Sequence, residues 1–167
     1  ATTAADDNIA LGYNTLGANT LGSRSVAVGT DALATQNPAT ATEMYNTAVG
    51  SGAGFSVSTG FRSTYIGGLA GYFNTTADNS TFVGFKAGYG VDGTPCTGNN
   101  NTAIGFQAGL LLQGVANGNT LIGAESGDSI TTAVGNTCVG LGAGAEIIDG
   151  DNNIAIGVCS LCNNTTA

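Results

Sequence analysis

The chain contains no histidine and no tryptophan, and among its 167 residues only Arg24, Arg62 and Lys86 are basic. Without histidine the commonest general base and zinc ligand is missing, which removes catalytic triads and most transition-metal sites. Three cations against 11 carboxylates leave a formal charge of −8, the wrong sign for nucleic acid or an anionic membrane surface. No apolar run of about 18 residues occurs, so no segment reads as a spanning helix, and the first residues of the sequence show no basic n-region. It opens on Ala1 rather than methionine, which suggests a processed product or an excised segment. What is abundant is small or polar: 28 glycines, with many asparagines and threonines. The glycines follow no G-X-Y period, which excludes collagen. A hydrophobic content of 42% is enough for a core in one domain.

One phrase recurs along the chain: a polar residue, a Thr or β-branched residue, a variable one, an aliphatic one, then Gly. It runs from Asn8-Ile9-Ala10-Leu11-Gly12 through Asn46-Thr47-Ala48-Val49-Gly50 to Asn153-Ile154-Ala155-Ile156-Gly157. The nine copies centre on Gly12, Gly29, Gly50, Gly67, Gly84, Gly105, Gly123, Gly140 and Gly157, spaced by 17, 21, 17, 17, 21, 18, 17 and 17 residues. A 17-residue unit is too short for a helical hairpin, and no 3.6-residue apolar pattern accompanies it. Each unit offers a short strand of β-formers, a Gly corner, a second segment and another turn. The expected fold is therefore all-β: a β-solenoid, or β-roll, of about nine 17–21-residue rungs in one domain over residues 1–167. The longer intervals place loops at 34–45 and 91–100, where a solenoid carries recognition.

Columns predict the interior. The residue before each Gly is Leu, Val or Ile in every rung, which reads as a packed inner column. By strand alternation the column two residues earlier, with Thr47, Thr64, Thr81, Thr102, Thr120 and Thr137, shares that inner face. The residue between them varies from Ala10 to Tyr65 and Phe82, a tolerance that suits an outer surface. Asn8, Asn46, Asn101, Asn119, Asn136 and Asn153 form a further column, expected to be an amide ladder at a corner.

Asn101-Thr102-Ala103-Ile104-Gly105-Phe106-Gln107-Ala108-Gly109 resembles the Asn-Thr-Ala-Ile-Gly repeats of phage tail fibres and bacterial surface proteins. Ser25-Val26-Ala27-Val28-Gly29 is similar to the Ser-Val-Ala-Ile-Gly repeats of YadA-like trimeric autotransporter adhesin heads. The resemblance covers residues 7 to 162 and implies a stacked β-roll, trimeric in the adhesins, that serves as a surface fibre or adhesive head. This chain departs from the adhesins in its longer unit.

Chemistry-bearing residues are few. A carboxylate pair could be assembled from two of the acidic residues in adjacent rungs, but no repeat feature singles one out. Asp149, Asp151 and Asn153 alternate as oxygen ligands do in a calcium loop, without the Gly turn or the downstream Glu, so calcium is a weak expectation against a plain polar turn. Cys96, Cys138, Cys159 and Cys162 are disulfide candidates. Rung spacing separates Cys96 from Cys159 by roughly 19 Å, too far for a bridge. A local Cys159–Cys162 bond, a bond from Cys138 to one of these, and an intersubunit bond for Cys96 all stay open, and each suits an oxidising, extracellular setting. N-glycosylation sequons start at Asn74, Asn79, Asn100, Asn163 and Asn164. The aromatic columns Phe55, Tyr72, Tyr89 and Tyr65, Phe82 read first as stacking ladders and only second as sugar platforms. Stacked threonines on a solenoid are also used to bind ice, but that needs an outward, flat Thr-x-Thr face, whereas the partner column here is Leu, Val or Ile and reads as buried.

Neither end of the repeat shows a capping helix or a charged edge strand. Joining a second copy would bring the next corner glycine 22 residues after Gly157, close to the longer intervals. The expected function is a non-enzymatic structural subunit of an extracellular or surface fibre, with copies of itself as partners, or a segment of a longer array. The alternative is an adhesin or phage tail-fibre head, trimeric by resemblance, whose loops bind a host glycan or protein. No enzyme activity, cofactor, nucleic acid or membrane insertion is expected.

Overall fold

A computed structural model describes residues 5–163. It is a β-solenoid of nine turns, and no helix occurs among the described residues. Nine three-residue strands form one parallel sheet along its side: β1 (Ile9–Leu11), β3 (Val26–Val28), β5 (Thr47–Val49), β6 (Thr64–Ile66), β7 (Thr81–Val83), β8 (Thr102–Ile104), β9 (Thr120–Ile122), β10 (Thr137–Val139) and β11 (Ile154–Ile156). Every adjacent pair is in register, so Thr47 lies on Thr64, Thr64 on Thr81 and Thr81 on Thr102. A second, two-stranded sheet pairs β2 (Gly22–Ser23) with β4 (Thr42–Glu43).

Each strand ends at its repeat glycine because the corner there requires a backbone that other residues avoid. At Gly84 φ is +133°, and a Cβ would run into the Gly105 carbonyl of the next rung. The second segment of each rung forms no strand, yet it is stitched rung to rung in the same way. Gly54 N donates to Ala70 O and Gly71 N to Ala87 O, both at 2.9 Å. Most backbone groups thereby find partners one turn away, which is what permits strands only three residues long.

The structure reverses the expected inside and outside of the strand. Ala27, Ala48, Tyr65, Phe82, Ala103, Leu121, Cys138 and Ala155, the variable column, are buried. The aliphatic residue before the glycine and the Thr or β-branched residue two earlier face outward: Val49, Ile66, Ile104 and Ile122 are exposed, and the threonines half-buried. The reason is volume. The opposite wall is lined by Ala53, Ala70, Ala87, Ala108 and Ala143 and by glycines set against the strand, so the coil is narrow. Four rungs place a buried alanine in the variable column, Ala27, Ala48, Ala103 and Ala155, in one core cluster with aliphatic residues of the second segments such as Leu33, Val57 and Leu112. Where Tyr65 and Phe82 occupy the column, Gly71 and Gly88 lie against their rings. Variation in one inner column is matched by another, so variability did not mean exposure.

Both segments expected as loops keep residues in the stack, and the first also supplies Thr42–Glu43, which pair with Gly22–Ser23. The first buries Gln36 and Met44, and the second buries Cys96, which bridges to Asn74 and Gly114 in the neighbouring rungs.

Candidate functional site

Four features of the surface could carry function: the side of the nine-stranded sheet, its two open ends, an aromatic ladder, and a polar hollow by the first loop. The side is formed by the two outward columns. From β1 to β11 it carries no charged side chain, and six of its nine rungs place a threonine beside Val or Ile. The threonine hydroxyls there meet no protein partner among the described residues. Elsewhere in the stack the hydroxyls of Thr15, Thr35, Thr97 and Thr131 all donate to carbonyls.

Backbone direction defines the ends. In each rung the residue three before the corner glycine donates forward, as Thr47 N does to Ser63 O at 2.9 Å. Each corner glycine donates backward, as Gly67 N does to Val49 O at 2.8 Å. The parallel register therefore turns Ile154 and Ile156 of β11 toward a forward edge, and Asn8 O, Ala10 and Gly12 N toward a backward edge, that no strand covers among the described residues. Apolar side chains crowd both ends: Ile9 is 58% exposed, Leu11 67%, Ile156 68% and Val158 75%.

The expected amide ladder exists and is buried beside the strand. Asn101 Oδ1 accepts from Asn119 N and Nδ2, Asn119 Oδ1 from Asn136 N, and Asn136 Oδ1 from Asn153 N. Each Nδ2 also donates to the carbonyl that closes its own turn, Ala133 O for Asn119 and Gly150 O for Asn136. Ser25, Ser63 and Ser80 hold the same column elsewhere.

Phe55, Tyr72 and Tyr89 stack with centroids 4.8 and 5.6 Å apart, and Phe85 stacks on Phe106 at 6.0 Å. In the three-ring ladder most ring faces are turned to one another and only the outer faces stay open, while Lys86 lies over Tyr89. This geometry suits a ladder better than a sugar platform, which needs free faces. The hollow, about 230 Å³, is lined by Asp6, Asp7, Ser23, Arg24, Ala41, Thr42 and Glu43. Arg24 spans it, 2.9 Å from Glu43 and 3.8 Å from Asp7, and donates to the Tyr45 hydroxyl at 2.6 Å. That hydrogen bond, with help from Glu43, holds the guanidinium above its ordinary pKa. The hollow is thus spanned by its own ion pairs.

The remaining sequence candidates scatter. Cys159 and Cys162 are bonded to each other, while Cys138 points into the core and Cys96 is fully buried, so neither is placed for a bond to Cys159 or to another subunit. Burial pushes both thiols up to about 11. The Asn74 amide is buried and donates to Gly88 O, which leaves no room for a glycan. Asn79 and Asn100 are exposed at equivalent corners of adjacent rungs, with φ of 54° and 61°. Asn163 is exposed, but its sequon ends at Thr165, and that residue and Asn164 lie outside the described residues. Of the calcium trio, Asp151 accepts from Val134 N at 2.6 Å and Asn153 belongs to the amide ladder. Among the described residues no group of three or more His, Cys, Asp or Glu is placed to hold a metal ion.

Column logic missed the outward threonine and aliphatic face. A partial signal was available: in four of the nine rungs an alanine sits between two β-branched residues, which marks the side with the least room. No protein family, curated protein or solved structure matches the chain.

Proposed function

We propose that the chain is a non-enzymatic structural subunit of an extracellular or surface fibre, built by end-to-end stacking of copies. The observation that carries this reading is the fit between the two open edges. Setting β1 of the next copy on β11 continues the pattern of every internal rung. Ile154 N then donates to Asn8 O of the next copy, and Gly12 N of the next copy donates to Ile156 O. Asn153 Oδ1, the last acceptor of the amide ladder, meets Asn8 N of the next copy, as Asn136 Oδ1 meets Asn153 N within the chain. The junction also lowers the exposure of the apolar residues at the two ends toward that of their equivalents in inner rungs, such as Ile66 and Ile104. A disulfide between the exposed Cys159 and the half-buried Cys162 suits an oxidising compartment. On such a fibre Asn79 and Asn100 are the sequons best placed to carry glycans.

The second reading is an adhesin or tail-fibre head that meets a host glycan or protein through its loops. It is favoured by the exposed tips at 39–41 and 92–94. Electron micrographs of the purified chain separate the two. Uniform filaments many subunits long are expected, and short knobs or monodisperse monomers would overturn the fibre reading. Ala10→Pro sharpens the test, because the Ala10 N–H faces the open edge and has no role in the internal ladder. The variant is expected to keep the circular dichroism of the wild type and to form no filaments.

A further inference from the structure

The geometry points to a second role for the outward side of the nine-stranded sheet: binding to ice. This inference concerns a surface parallel to the stacking axis and does not depend on whether copies join end to end.

The surface is a two-column lattice. Adjacent rungs are about 4.8 Å apart, and the two outward positions of each strand are separated by about 6.6 Å, two residues of extended chain. The register is kept without a bulge through all eight pairings. Every position but Leu11 is β-branched, so χ1 is stiff and the γ-methyl groups repeat at fixed places. Six rungs add a hydroxyl next to the methyl, at Thr47, Thr64, Thr81, Thr102, Thr120 and Thr137. These hydroxyls have no protein partner among the described residues, and no charge on the face holds a disordered hydration shell.

Two kinds of occupant compete for such a face, a second copy of the chain and ordered water. The strip is roughly 40 Å by 7–10 Å, or about 300–400 Å² per copy, against about 800 Å² per partner in a stable interface. Docking it dry would also bury six hydroxyls, each costing about 1–3 kcal/mol if left unpaired. Ordered water has neither difficulty. It hydrogen-bonds to the threonine column, and the methyl groups leave troughs between rungs in which water is held without competing donors. The rectangular repeat lies close to that of oxygen atoms on faces of hexagonal ice. A rigid array that orders water in that repeat can merge with an ice surface.

The test uses the full chain and ice itself. Polycrystalline ice is grown slowly from a solution of the chain with serum albumin as a non-binding reference, and the freezing-melting gap is measured on single crystals. The chain is expected to enter the ice while albumin is excluded, and to open a measurable gap. Thr102→Tyr, at the middle of the face, is expected to lose most of both effects, whereas Val115→Tyr, exposed but off the face, keeps them. Circular dichroism checks folding, and Ile122→Lys serves if Thr102→Tyr does not fold. Exclusion of the wild-type chain from ice overturns the inference. So does equal loss in Val115→Tyr, or a face-to-face dimer seen by sedimentation that Thr102→Tyr disperses.

Discussion

Asn119 shows how much one side chain does in this fold. Its amide closes its own turn through Ala133 O, donates to Asn101 Oδ1 and accepts from Asn136 N, all in a buried column. Asn119→Ala leaves those groups unpaired and is expected to cost about 3 kcal/mol in urea denaturation. Asn119→Ser should cost about half as much, because a serine in this column still accepts the next N–H, as Ser63 Oγ does from Ser80 N. The buried thiols give a second expectation at this scale. Cys96 and Cys138 titrate in the folded chain near 11, against an ordinary value of 9.0. Between those values the unfolded chain loses the protons that the folded chain keeps, so ionisation favours unfolding. Stability should be unaffected by these groups below pH 9 and should fall from pH 9 to 11. Cys96→Ala with Cys138→Ala should flatten that limb, as read from melting temperature against pH.

The strands themselves were plain in the sequence, because nine repeats of one phrase fix both their positions and their register. Their facing was not. The narrowness of the coil depends on what the opposite wall contributes, and that wall is built from Ala53, Ala70 and Ala87, residues that look like spacers when read along the chain. The amide ladder was legible as a column, while its burial was not, since the Nδ2 donors are satisfied by carbonyls 14 residues on that no motif announces. The disulfide shows the opposite case. Spacing left three pairings open, and side-chain direction decided between them, turning Cys138 inward and leaving Cys159 with Cys162. Closing so short a loop in the last rung contributes about 2 kcal/mol at most. Reduction should therefore loosen only the turn after β11. Hydrogen exchange of β5 to β8 amides should be the same with and without reductant.

At the scale of the molecule, contacts run only between neighbouring rungs, so stability is a sum along one axis. For the isolated chain, amide protection should be greatest in β6 to β8 and fall toward β1 and β11, because each end rung lacks one neighbour. In assembled material that gradient should flatten, since no rung is then an end. The direction of the amide ladder has a further consequence. Each Oδ1 from Asn101 onward accepts from the rung that follows it in sequence, so the C=O dipoles of the column all point the same way along the axis. A junction of two like ends would set acceptor against acceptor or donor against donor. A chain of copies must consequently have an arrow: one extremity forever presents N–H groups in the amide column and the other carbonyls. The two tips of a fibre should then elongate at different speeds, with a labelled pulse of subunits marking one of them more heavily.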